Sequence, residues 1–265
     1  MTKTRVAIHG AGGRMGQRLI ALGTQDSDLQ IVAALDAAAH PRLGSDVGTI
    51  AGVGEIGVPL TTDLQVEADA VVDFSVRAGT EAITSVCVGR GVPLVVATTG
   101  LSAAQQSALQ RAAESVAIVW APNMSLAVNL TMGLAEVAAA ALRDVPGGAD
   151  VEIIERHHRF KEDAPSGTAL KFGELIAAKM GQQHHVHGRQ GRPGERPRDE
   201  IGYHAVRTGD NPGEHTIVFG LLGETVELRV AATSRDAYAA GALAAAKYVA
   251  GKAPALYGMN DVLGL

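Results

Sequence analysis

Two packed α/β modules are predicted for this chain, on three observations. From Arg5 to Trp120 short apolar runs alternate with helical stretches, the pattern of a parallel sheet covered on both faces. From Ile201 to Ala232 three strand-like runs follow one another across short turns, which reads as an open sheet of a second kind. Aromatic residues make up only 3% against 46% hydrophobic, so the core must be Ala, Val, Leu and Ile, which suits helices on sheets.

At 265 residues the chain is long for one domain and short for three. The expected division is 1–125, completed by 234–265, and 126–233. A net charge of −5 argues against nucleic acid as a partner. No apolar run approaches the length of a membrane span, so no membrane partner is expected. The single Cys87 excludes an internal disulfide framework and fits a reducing compartment. Met1-Thr-Lys-Thr-Arg-Val leads directly into a strand with no apolar leader core, and a cytoplasmic location is expected.

Arg5-Val-Ala-Ile-His9 reads as a buried strand and Gln17 to Leu22 as a helical run. Between them stands Gly10-Ala11-Gly12-Gly13-Arg14-Met15-Gly16. Strand, glycine-rich turn and helix form the context of a dinucleotide pyrophosphate site, where the backbone comes close to phosphates held on a helix N-terminus. The spacing is imperfect: the third glycine falls at Gly16, one place late, because Met15 occupies the strict position. Support comes from Gln30 to Leu35, a second strand ending in Asp36, where an acid would bind the adenosine ribose. Together these predict a Rossmann-type doubly wound parallel sheet for the first domain.

Pro41 to Leu60 shows no period and reads as loop. Ala70 to Ser75, Pro93 to Gly100 and Val116 to Trp120 continue the parallel strands, with helices over Gly79 to Gly89 and from Ser102 to Glu114. Cys87, inside the first of these helices with no base near it, reads as a small core residue. Ligands of such sheets bind at the carboxyl ends of the strands, which places Ala97, Thr98, Thr99 and Gly100 on the nicotinamide side. Ala121-Pro122-Asn123-Met124-Ser125 marks a hinge, and a long helix from Leu126 to Arg143 follows, with a face lined by Leu130, Leu134, Val137 and Ala141.

The chemistry concentrates after the next strand. Val151, Ile153 and Ile154 lead into His157, His158 and Lys161. Pro165 then stops the loop, and Ser166 stands as N-cap of a helix from Thr168 to Met180. The N–H groups of Gly167, Thr168 and Ala169 at that helix start form a nest for a carboxylate, with Lys161 as a fixed positive charge. A histidine suits acid chemistry near neutral pH. Adjacent strand residues point to opposite faces, so His157 and His158 share a pocket only if the strand ends or bulges there. His184, His185 and His187 lie in a segment read as loop, and no cysteine or nearby carboxylate completes a ligand set; no metal is expected. Ile201 to Arg207, His215 to Gly220 and Val226 to Ala232 read as antiparallel strands, and a helix from Ala237 to Ala250 packs back on the first domain.

Glu155-Arg-His-His-Arg-Phe-Lys-Glu-Asp-Ala-Pro-Ser-Gly-Thr168 resembles the signature of the dihydrodipicolinate reductases, also described as 4-hydroxy-tetrahydrodipicolinate reductases. The glycine loop, Thr98-Thr-Gly100, Ala121 to Ser125, Gly213-Glu-His215 and Asp261 to Leu265 extend the resemblance to nearly the whole chain. It implies hydride transfer from NADH or NADPH to a small cyclic dicarboxylate on the route to lysine and diaminopimelate. It further implies that His157 protonates the ring carbon and that Lys161 polarises the substrate. His158, Ser166, Gly167 and Thr168 would hold its carboxylates, and Ala121, Pro122, Asn123 and Met124 would contact the nucleotide. A homotetramer joined through the open sheets of the second domains is implied as well. Ala37 after Asp36, and Met124 where an aromatic is common, depart from the family pattern. A phosphorylating semialdehyde dehydrogenase would need a nucleophilic cysteine, and Cys87 is badly placed for one. An NAD(H)-sensing regulator would have no reason to hold the histidines, the lysine and Ser-Gly-Thr together.

Overall fold

The computed structural model describes residues 2–265. The chain divides into two compact units, Met1–Leu126 with Asp236–Leu265, and Ala127–Arg235.

The first unit is built on a seven-stranded sheet in which every pairing is parallel. In chain order it comprises β1 (Thr4–His9), α1 (Arg14–Gln25), β2 (Leu29–Leu35), α2 (Val47–Ala51), β3 (Leu60–Thr61), β4 (Ala70–Asp73), α3 (Arg77–Arg90), β5 (Leu94–Val96), α4 (Ala103–Ala112) and β6 (Ala117–Trp120). The strand order, with β12 (Ala255–Tyr257) at one edge, is β12-β6-β5-β4-β1-β2-β3. Direction therefore reverses between β1 and β4, the switch point at which doubly wound sheets bind ligands.

Alternation along the strands explains the two-sided burial. Val6, Ile8, Ala70, Val72, Val95 and Val119 enter one core cluster, while Ala7, Val71, Leu94, Val96 and Ile118 enter the other. Helices cover both faces, because neither row of a fully buried strand can be left to water. Ser102 caps α4 with a reciprocal Gln105 contact, as a capping box requires. Cys87 is a buried core residue whose thiol burial pushes up to about 12, so it offers no nucleophile.

The segment 41–60 corrects the loop reading. Asp46 accepts backbone N–H groups from Gly48, Thr49, Ile56 and Val58, and so organises the five-residue α2 and the entry to β3. One carboxylate replaces periodicity there, and a five-residue helix is too short to show a period. The edge strand β12 also escaped the sequence reading. After α7 (Asp236–Val249) the chain returns to pair β12 with β6, and α8 (Met259–Leu263) follows.

The second unit holds α5 (Leu126–Leu142), β7 (Asp150–His157), α6 (Gly167–Met180), β8 (His184–His187), β9 (Glu200–Arg207), β10 (Gly213–Leu221) and β11 (Glu224–Ala232). Its sheet runs β11-β10-β7-β9-β8. β10 alone runs opposite to the other four strands; β9 lies parallel to β7, and β8 parallel to β9. This corrects two expectations, an antiparallel β9 and a loop over 184–187. A strand's partner is a long-range choice that its own residues do not encode.

A further correction concerns α5. Its core-facing residues are Val128, Thr131, Met132, Ala135 and Ala139, whereas Leu130, Leu134, Val137 and Ala141 are exposed. The helix is apolar around much of its circumference, so the 3.6-residue period could not choose between two apolar rows. Val151, Ile153, Phe172, Ile176, Ile201, Ile217 and Phe219 complete the core beneath α5 and α6.

Candidate active site

In the second unit alternation along β7 sets the chemistry. Val151, Ile153, Glu155 and His157 form the buried row, and the strand ends at His157. His158 lies beyond it in the turn, so the two histidines are separated by the strand's end rather than by a bulge. The ends of β7 and β9 are tied: the Thr208 N–H donates to His157 O at 3.0 Å, and the Arg159 N–H to Gly209 O at 3.0 Å. His158 Nδ1 is buried and has no hydrogen-bond partner among the described residues. Lys161 follows in the same loop, its ammonium 2.7 Å from Asp163.

Glu155 is 1% exposed and fully engaged. It accepts from His157 Nδ1 at 2.5 Å, from the Ser166 N–H at 3.1 Å, and from two Arg207 nitrogens at 2.9 and 2.7 Å. Burial would raise its pKa, but the hydrogen bonds from Arg207 and His157 hold the carboxyl below its usual range. Burial lowers the pKa of His157, Glu155 opposes that shift, and Lys161 and Arg207 add to it. A Cβ at Gly213 would lie 2.9 Å from His157 Nε2, so only glycine leaves that nitrogen uncrowded.

Ser166 caps α6 by accepting from the Ala169 N–H at 3.2 Å, and its hydroxyl also lies 3.0 Å from His215 Nε2. At 2% exposure this side chain is committed to protein partners. Gly167 is exposed with nothing within 4 Å of a would-be Cβ, and Thr168 follows on the same N-terminal turn. That turn, with the positive end of the helix dipole, is where an anion is favoured.

The first unit carries a different kind of cradle. Gly10 has φ +77°, and a Cβ there would lie 2.7 Å from Phe74 O, so β1 and β4 can lie this close only with glycine at that position. Cβ atoms at Gly12 and Gly16 would collide with the His40 ring and with Gly10 O. Gly13 caps α1 with no side-chain hydrogen bond, which leaves the first turn's N–H groups to a ligand. Arg14 is exposed and Met15 half-buried at that turn. Ala11 is buried behind it. Asp36 at the end of β2 accepts from the Gly12 and Ala37 N–H groups, both at 2.8 Å. A backbone-only loop at a helix start, with an acid beside it, fits a dinucleotide.

Asp73 lies at the carboxyl end of β4 and organises the neighbouring loops. His9 Nδ1, the Thr80 hydroxyl and the Thr98 hydroxyl reach it at 2.8, 2.6 and 3.0 Å. Burial raises its pKa, yet bonds from His9, Ser75 and Thr80 leave the carboxyl below its usual range. Thr98 is thus turned inward, Ala97 is buried, and Thr99 and Gly100 are exposed on the turn. Ala121 is buried, Pro122 exposed and Asn123 half-buried. Met124 is 2% exposed within the core cluster that contains α7 residues, so its side chain faces that core.

Residues 4–124 match the family model described as Dihydrodipicolinate reductase, N-terminus, and residues 127–263 match the one described as Dihydrodipicolinate reductase, C-terminus. The chain belongs to the dihydrodipicolinate reductase family. It is 57% identical over 268 residues to a 4-hydroxy-tetrahydrodipicolinate reductase of Rhodopirellula baltica, covering 98% of this chain and 96% of that one. A relative of the same description from Alkalilimnicola ehrlichii is 46% identical, covering 99% of each chain. The dipicolinate-bound dihydrodipicolinate reductase from Paenisporosarcina sp. TG-14 shares the fold with a TM-score of 0.79 at 28% identity, covering 98% of this chain and 99% of that one. This family member is an oxidoreductase that uses NADH or NADPH.

Sequence reasoning singled out His157, His158, Lys161 and Ser166, and β7, its turn and α6 carry all four. It missed Glu155, Arg207 and His215 as members of that cluster, and His9 and Asp73 in the first unit. Glu155 carried a readable signal, since it lies two residues before His157 and so on the same strand face. Arg207 and His215 had none, because their strands are paired with β7 only by the fold. The three histidines after α6 are each engaged separately. His184 pairs with Asp199 at 2.7 Å, His185 bonds the Tyr203 hydroxyl at 2.7 Å, and the His187 ring packs on Tyr203. Among the described residues no group of three or more metal-ligating side chains occurs, and no helix is long and apolar enough to cross a membrane.

Proposed function

We propose that the chain reduces 4-hydroxy-tetrahydrodipicolinate to tetrahydrodipicolinate with loss of water, that His157 supplies the proton, and that the compartment is the cytoplasm. The first unit is the nucleotide domain and the second the substrate domain. The nicotinamide nucleotide, when bound, supplies the hydride. The glycine loop from Gly10 to Gly16 holds the pyrophosphate, and Asp36 the ribose. Thr99, Gly100 and the backbone of Ala121 to Asn123 border the nicotinamide half.

The observation that carries this reading is the orientation of His157. Its Nδ1 is committed to Glu155, and its Nε2 lies on the side that Gly213 leaves uncrowded. Nε2 is therefore the atom that delivers a proton to the substrate ring carbon. The Gly167 and Thr168 N–H groups bind one substrate carboxylate, and Lys161 with His158 binds and polarises the other end. Ser166 contributes as the N-cap that shapes this nest, its hydroxyl being bound to Ala169 and His215. The ligand of the Paenisporosarcina relative, dipicolinate, is a ring dicarboxylate of the kind such a pair of clamps would recognise.

The protein assembles as a homotetramer through the open face of the second unit's sheet. Ile154 and Val206 are exposed there, on the side away from α5 and α6. Nucleotide oxidation followed at the nicotinamide absorbance, with substrate made in situ by the preceding synthase, tests the activity. A folded preparation without turnover would sink it. Sedimentation tests the tetramer.

A further inference from the structure

We propose that Glu155 and Arg207 form a buried positioning pair that fixes the His157 ring in its Nδ1–H tautomer and joins it to the N-terminal turn of α6. The proposal deepens, and rests on, the assignment of His157 as proton donor.

The geometry is specific. In the strand registers Glu155 stands opposite His215, and His157 opposite Arg207, so all four side chains share the helix-covered face at the end of β7. Each Glu155 oxygen accepts two bonds: Oε1 from the Ser166 N–H and Arg207, Oε2 from His157 Nδ1 and Arg207. A carboxylate has about four lone-pair sites, and all are filled. Arg207 also donates to Asp163 O at 2.6 Å, which anchors the Lys161 loop to the same hub.

A buried carboxylate is costly without a partner, and Arg207 offsets that cost. An ion pair that merely knitted β7 to β9 would need no imidazole. This one places its carboxylate against the imidazole nitrogen remote from the reaction, and the tautomer of a histidine is set by that bond. When Nε2–H gives up its proton to the ring carbon, the neutral ring retains Nδ1–H and the Glu155 bond. The ring therefore does not turn during the step. The charged and titratable groups facing His157 are Glu155 on its own strand, Arg207 on β9, His215 on β10 at 5.2 Å between ring centroids, and Lys161 with its partner Asp163 in the loop. Of these only Glu155 touches Nδ1.

The test is ¹⁵N NMR of histidine-labelled protein, with the His157 signals assigned by their loss in His157→Gln. Above its pKa, wild-type His157 should be protonated on Nδ1; protonation on Nε2 would overturn the proposal without any variant. In Glu155→Leu/Arg207→Met, which removes both charges and the acceptor at Nδ1 together, the neutral ring should pass largely to Nε2–H. The basic limb of kcat/KM should move to lower pH, because losing the Glu155 hydrogen bond and charge, which favour imidazolium, outweighs losing the Arg207 charge, which opposes it. kcat should fall by roughly ten- to a thousandfold with the nucleotide KM unchanged. A folded double variant with the wild-type tautomer and pH limb would refute the pair. Should that variant not fold, Glu155→Asp keeps the charge but shortens the reach, and an unaltered tautomer there is equally fatal. Normal kcat in His157→Gln, with the tautomer as stated, would remove the donor role and leave the tautomer lock standing.

Discussion

Ser166 Oγ lies 3.0 Å from His215 Nε2, joining the N-cap of α6 to the middle of a sheet that its own segment never enters. His215 is 4% exposed, and burial pushes its pKa down to about 4, so at neutral pH it is an uncharged partner for the hydroxyl.

That arrangement makes the fold acid-sensitive. The folded pKa lies below the unfolded value of about 6.5, so the unfolded chain binds the extra proton first as pH falls. The stability is complete above pH 6.5 and is lost between about 6.5 and 4, on the order of 3 kcal/mol from this group. His215→Gln should be less stable at pH 7.5 but should lose less on going to pH 4.5 than wild type, measured by urea midpoints. Equal losses would show that His215 does not titrate with unfolding.

His157→Gln should keep its fold and its nucleotide affinity while kcat drops by a factor on the order of 10²–10⁴, the usual worth of a placed acid. Near-normal turnover in this variant removes His157 from the reaction.

Lys161→Ala should lower kcat and raise the substrate KM together, because a charge beside the reacting centre acts in both ground and transition states. Asp163, 2.7 Å away, is the internal control. Asp163→Asn frees the ammonium and should cost far less than losing it. A Lys161→Ala phenotype confined to KM would make the residue a binding group only.

Replacing His184, His185 and His187 together by asparagine should leave kcat within about twofold of wild type, and chelators should change nothing in either protein. The physical reason is that each ring has its own neighbour rather than a shared ion. Activity lost in the variant and restored by zinc would contradict this.

Both nucleotides should be used, with NADH at least as good as NADPH. Asp36 repels a 2′-phosphate, yet the His40 ring packs against Gly12 and the Arg42 guanidinium lies 3.5 Å from Gly12 O, so a cation stands on the same loop. Ala37→Arg should shift preference toward NADPH by about 1 kcal/mol, roughly fivefold in kcat/KM. Arg42→Ala should penalise NADPH alone. A wild-type preference for NADPH above about tenfold would mean that Asp36 does not set the choice.

Much of this chemistry was legible in the residues because its causes are local. A glycine loop needs no distant partner to turn and to expose N–H groups, and Ser166 marks a helix start through a contact three residues away. The alternation of buried residues along β1, β4 and β6 likewise follows from neighbours in sequence. What the tertiary structure decided is pairing. That β9 lies parallel to β7, that α5 turns Leu130 and Leu134 outward, and that Arg207 and His215 meet Glu155 across 52 and 60 residues are outcomes of competition among apolar faces and strand edges. Hydrophobic burial is non-directional, so a sequence pattern says that a face must be covered without saying by what. Only the folded chain assigns the partner, here Glu155 against His157 Nδ1.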